Sequence, residues 1–111
     1  MSKLCSSAEI RGIARSEAGV FVLFYAEWCP FSRAFLQVYE KRGLGREAEF
    51  FRVALDGNEP FFDEHKIEVY PTVIFFRGGR VHRRLDGKHM VGLNDKQLTR
   101  LISSCDEIRD R

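Results

Sequence analysis

The chain has 111 residues, 44% of them hydrophobic, 31% charged and 13% aromatic, with three cysteines and a formal net charge of +2. That length holds one domain able to bury about 65% of its unfolded surface, and the apolar content excludes a disordered chain. No apolar run approaches the ~20 residues of a membrane span, near-balanced charge gives no warrant for nucleic acid or a membrane surface as partner, and an odd trio of cysteines does not staple a secreted scaffold.

Residues 1–7 lack the apolar stretch of a secretory signal, so the expected localisation is cytoplasmic, with the reservation that the chain can be a domain cut from a longer precursor. Ser6-Ser7-Ala8-Glu9 has capping-box spacing, and Ile10, Ile13 and Ala14 fall on one helical face. A first helix to about Glu17 follows, ended by Gly19. Val20–Ala26 is seven apolar residues in a row, rich in β-branched and aromatic types. It reads as a strand buried on both faces.

Pro30 then suits the first turn of a second helix, where its missing N–H is an orphan in any case. Phe31, Phe35, Val38 and Tyr39 share one face of that helix, and Gly43 and Gly45 close it. Glu49–Leu55 alternates as a strand, and a short helix is predicted through Phe61–His65. Thr72–Phe76 and Arg80–Leu85 form a hairpin about Gly78-Gly79. Asn94 caps a last helix with Leu98, Leu101 and Ile102 inward. The order αβαβαββα predicts a single α/β domain over residues 1–111, a central mixed β-sheet flanked by helices on both faces, with a tail fraying from about Cys105.

The stretch that carries chemistry is Trp28-Cys29-Pro30-Phe31-Ser32, directly after the buried strand and opening a helix. A cysteine at a helix N-terminus faces unpaired N–H groups and the positive end of the macrodipole, both of which favour thiolate, the nucleophile of disulfide exchange. Ser32, one turn on, is expected to donate a hydrogen bond to the Cys29 sulfur.

These residues resemble a known active site. Phe24-Tyr25-Ala26-Glu27-Trp28-Cys29-x-x-Ser32 is similar to that of the thioredoxin and protein-disulfide-isomerase family, with serine in place of the second cysteine. Tyr70-Pro71-Thr72 is similar to the segment whose proline is cis opposite the active cysteine. Phe76-Arg77-Gly78-Gly79-Arg80 resembles the family's last hairpin turn, and Arg84-Leu85-Asp86-Gly87 the strand end whose glycine flanks the substrate groove. The resemblance runs from about Ile10 to Ile102. It implies a thioredoxin-like fold, with Cys29 and Ser32 as the catalytic pair. It also implies a client groove formed by Trp28, Pro30, Tyr70, Pro71 and Gly87, in which Tyr70 pairs with an extended peptide by strand addition and Gly87 allows close approach.

Three departures shape the expected mechanism. With Ser32, Cys29 can attack a disulfide but cannot release itself, because a hydroxyl does not form the second bond. A mixed disulfide then waits for an outside thiol, which suits isomerisation, client capture or deglutathionylation better than dithiol reduction. Leu23 stands where the family usually buries a carboxylate, in keeping with a protein that has no resolving thiol. Gln37 replaces the interior proline of the active-site helix.

Cys5 and Cys105 are expected as separate thiols on opposite faces of the sheet, and no two cysteines or histidines stand at metal-ligand spacing. His65 is placed at the end of a short helix, with His82 and His89 on solvated hairpin and loop. The basic stretch of Arg77, Arg80, Arg83, Arg84 and Lys88 reads as a charged hairpin edge guarded against pairing, or as a selector among anionic partners or glutathione. Residues 88–93 are a candidate rim of the groove.

The expected function is disulfide exchange through Cys29 with protein or peptide clients. No cofactor is expected, glutathione is a candidate co-substrate, and the expected state is a monomer. Three other readings stay open: a dithiol oxidoreductase whose resolving cysteine has been replaced by Ser32, a redox-silent peptide-binding module, and an iron–sulfur carrier like monothiol glutaredoxins.

Overall fold

In the computed structural model, which describes residues 1–109, the expected elements appear with one addition at the N-terminus. In chain order they are β1 (Lys3–Leu4), α1 (Ser7–Ile13), β2 (Val20–Tyr25), α2 (Pro30–Gly43), β3 (Phe50–Ala54), α3 (Glu59–Glu64), β4 (Thr72–Arg77), β5 (Arg80–Asp86) and α4 (Asp95–Arg109). The sheet order is β1-β3-β2-β4-β5. β3 pairs in parallel with both β1 and β2, whereas β4 pairs antiparallel with β2 and β5. The sheet is therefore mixed, with β2 central.

All six residues of β2 are buried, which explains its unbroken apolar run. Alternate side chains feed two cores, because successive strand residues point to opposite faces. Phe21, Leu23 and Tyr25 join Val73 and Phe75 beneath Phe35 and Tyr39 of α2 and Leu98, Leu101 and Ile102 of α4. Val20, Val22 and Phe24 join Ile74 and Phe76 against Ile10 of α1 and Phe61 and Phe62 of α3. Cys5 lies in the second core and Cys105 in the first, so the sheet separates them, and all three cysteines are free thiols.

Four expectations are corrected. β1 was not anticipated. Its two residues owe their strand geometry to pairing with Phe51 and Arg52 of β3 rather than to any pattern of their own. α1 stops at Ile13, short of Glu17, because the carbonyls of Ala14 and Ser16 accept hydrogen bonds from Gly79 and Gly78 of the β4–β5 turn at 2.8 and 3.0 Å. α3 starts at Glu59, two residues before Phe61. The Asn58 amide preceding it donates to the Ala54 carbonyl and accepts from the Ser7 N–H, which ties α3 to α1.

The C-terminal segment does not fray at Cys105. α4 continues to Arg109 because Arg46 pairs with Asp106 at 2.9 Å, and Arg109 pairs with Glu49 while lying 4.9 Å from the Phe75 ring centroid. Asp110 and Arg111, the end of the expected frayed tail, lie outside the described residues.

Candidate active site

The chain leaves β2 at Tyr25 and turns through Ala26–Trp28, and Cys29 becomes the N-cap of α2 with Pro30 in the first turn. The Cys29 N–H donates to the Ala26 carbonyl and its own carbonyl accepts from Arg33, so backbone bonds fix the residue on both sides. Its side chain makes no capping hydrogen bond. Cys29 retains only 8% exposure, yet it lines an open cavity of about 320 Å³ with Trp28, Pro30, Phe31, Tyr70 and Met90. Glu68, Val69 and His89 complete the lining.

Of the other expected residues, Trp28, Pro30 and Tyr70 line this cavity, whereas Ser32, Pro71 and Gly87 do not. Trp28 is 62% exposed and meets Tyr70 edge to face at 6.1 Å between ring centroids. Tyr70 also packs on Phe62 at 5.9 Å, which anchors the cavity wall in the second core. Burial, followed by the nearby Asp63 and Cys29, pushes the Tyr70 phenol above its ordinary range, so at neutral pH it carries its proton. The Tyr70–Pro71 peptide bond is cis. Gly87 is not part of the cavity lining but stands against Pro71: a Cβ there would lie 2.3 Å from the Pro71 carbonyl oxygen, which only glycine tolerates.

Ser32 differs from its expected role. Its hydroxyl, fully buried, accepts a hydrogen bond from the Ala26 N–H at 3.3 Å instead of donating to the Cys29 sulfur. The first turn of α2 directs it inward beneath the loop leaving β2, where an orphan N–H needs an acceptor. Phe31, on the same helical face as the buried Phe35 and Tyr39, is half-buried, lines the cavity and packs against Gly92.

Glu68 and Val69 were missed, although their place just before Tyr70-Pro71 was a usable signal. His89 was assigned to solvent; it is exposed and also lines the cavity. The segment 88–93 rims the groove as expected, through His89 and Met90.

Below the site, Leu23 is fully buried in the apolar core that Tyr39 shares. The Tyr39 hydroxyl donates toward the carbonyls of Phe21 and Phe51 at 3.1 and 2.7 Å, and burial holds its phenol well above the ordinary range. No group of three or more metal-ligating side chains gathers among the described residues. Of the basic stretch, Arg77 donates to the Glu17 carbonyl, and Arg84 is held by Asp86 and the Lys66 carbonyl. Those two are structural braces.

The site sits in a chain with recognisable relatives. The family model described as Thioredoxin matches residues 6–103. A thioredoxin-like protein of Fusarium culmorum is 30% identical over 81 residues, covering 69% of this chain and 67% of that one. Monothiol glutaredoxin-S17 of Arabidopsis thaliana is 28% identical over 94 residues, which span 84% of this chain but only 19% of the plant protein. Among solved structures, Plasmodium falciparum thioredoxin superposes with a TM-score of 0.79 at 27% identity, covering 92% of this chain and 97% of its own. Malassezia sympodialis thioredoxin reaches 0.80 at 22% identity, covering 94% and 90%, a likeness of fold.

Proposed function

Since this chain belongs to the thioredoxin family, we propose that it exchanges disulfides with protein or peptide clients through Cys29 alone. The observation that carries this reading is the pairing of Cys29, at the N-cap of α2 and open to the cavity, with a buried Ser32 whose hydroxyl is engaged by the backbone. In the first step the Cys29 thiolate attacks one sulfur of a client disulfide. A Cys29–client bond forms, the client's bond breaks, and the electron pair leaves on the second client sulfur, which takes a proton from solvent.

The attacking sulfur belongs to the N-cap residue of α2, directly before Pro30. Trp28 and Tyr70 shield one side of the new bond. Ser32 brings no thiol, so release falls to an outside thiol, with glutathione as the proposed co-substrate. That supply suits a reducing compartment, and we place the protein in the cytosol on this ground.

The test is intact-mass spectrometry after incubation with oxidised glutathione. One adduct is expected, mapped to Cys29, absent from Cys29→Ala and removed by excess reduced glutathione. A native protein that forms no adduct, while the unfolded chain reacts readily, overturns the proposal.

A further inference from the structure

We infer that Met90 is a specificity residue that directs Cys29 toward client disulfides whose cysteine is flanked by a large apolar side chain; this rests on the exchange reading of Cys29. Met90 has φ +63°, in the left-handed region that a non-glycine residue occupies at a cost of about 1 kcal/mol. Burial does not offset that cost, because Met90 is 70% exposed. A strained, apolar and solvent-facing residue at an ordinary loop would be replaced by glycine or asparagine without loss. Here it lines the cavity that holds the nucleophile.

The loop presents Met90 rigidly. Lys88 and Gly92 exchange both backbone hydrogen bonds, at 3.1 and 2.8 Å, and the Val91 N–H also donates to the Lys88 carbonyl at 3.0 Å. Gly92 has φ +81° and leaves only 3.0 Å between an ideal Cβ and the Phe31 Cβ, so the loop is seated on α2. Leu93 packs against the first core. Thus the strained residue is pinned from both sides at the edge of the cavity.

Trp28 and Met90, both largely exposed, line the same cavity as Cys29, Phe31 and Tyr70, so two large apolar side chains stand in water at the mouth of the site. When a client cysteine is bonded to Cys29, this cavity is the space open to that cysteine's neighbour in the client chain. Its apolar walls favour an aromatic or large aliphatic neighbour, and the unbranched thioether adapts to either. Glutathione flanks its cysteine with a glutamyl carboxylate and a glycine and offers nothing to fill the cavity.

The test measures mixed-disulfide formation at Cys29 with three disulfides: two oxidised tetrapeptide dimers, Gly-Cys-Phe-Gly and Gly-Cys-Glu-Gly, and oxidised glutathione. The native protein is expected to react about tenfold faster with the Phe peptide than with the Glu peptide, the discrimination one apolar group in a pocket supplies. Met90→Gly, which relaxes the backbone and so keeps the loop, and Met90→Ser should both bring that ratio close to one. Equal rates in the native protein, or a ratio unchanged in both variants, overturn this inference while leaving exchange at Cys29 intact. No adduct with any of the three overturns the exchange reading, and this inference with it.

Discussion

In the exchange proposed for Cys29, Ser32 differs from a resolving cysteine by one atom. A thiol in place of the Ser32 hydroxyl would stand one helical turn from Cys29, within the Cα separation that a disulfide spans. Ser32→Cys should therefore bridge to Cys29 under oxidation, seen as the loss of two hydrogens by mass spectrometry. The glutathione adduct at Cys29 should then cease to accumulate. Persistence of that adduct at its original level would show that residue 32 is not the missing resolving position. The three native thiols should also differ in reach. Burial raises the Cys5 thiol and pushes Cys105 up to about 11, and both lie inside the cores. Native-state iodoacetamide should label Cys29 first, with Cys5 and Cys105 modified only on unfolding.

Among the elements, the end of β5 and the last turn of α4 are held by contacts that single substitutions can break. Gly87→Ala drives a Cβ into the Pro71 carbonyl oxygen, a backbone atom that cannot swing aside. A loss of about 1–3 kcal/mol in urea unfolding is expected, the usual cost of overpacking. α4 is secured by Glu49, whose carboxylate bonds first to Arg46 and then to Arg109, lowering its proton affinity below the ordinary range. A group lowered in the folded state stabilises above its unfolded value and loses that contribution as pH falls below about 4.5. Glu49→Gln should therefore reduce stability at pH 7 and flatten the decline below pH 4.5, measured by urea midpoints.

For the whole molecule, the sheet is a partition between two apolar layers, and the candidate site opens beyond the C-terminal end of β2, where α2 begins. That place sets the mostly buried Cys29 against an open cavity while the strand behind it stays dry. The layer formed with α1 and α3 contains the one histidine that burial perturbs most among the described residues. His65 packs against Phe24, Phe61 and Phe76, and burial lowers its proton affinity despite the opposing pull of Glu64. The unfolded chain binds a proton at about pH 6.5 that the folded chain resists, so stability should fall as pH drops below about 6.5. His65→Gln should remove that slope between pH 8 and pH 5.5. An unchanged slope would place the titrating group elsewhere.

Local chemistry determined much of this protein. The Val20–Ala26 run specified a doubly buried strand, and Ser6 with Glu9 specified a reciprocal cap that forms at 3.2 and 3.0 Å. Asn94 with Gln97 closes the same kind of box at α4, and Trp28-Cys29-Pro30 placed a thiol at a helix start. Each of these depends on residues within a few positions of one another. Other features were decided only in three dimensions. β1 exists because β3 lies beside it, α1 ends where the β4–β5 turn claims its carbonyls, and α4 reaches Arg109 because Glu49 and Phe75 wait there. Ser32 turned from the sulfur to the Ala26 N–H, and Glu68 and Val69 came to line the Cys29 cavity. Pattern and capping act through neighbours in sequence, whereas these outcomes depend on which distant donor, ring or carbonyl the packed sheet brings within bonding distance.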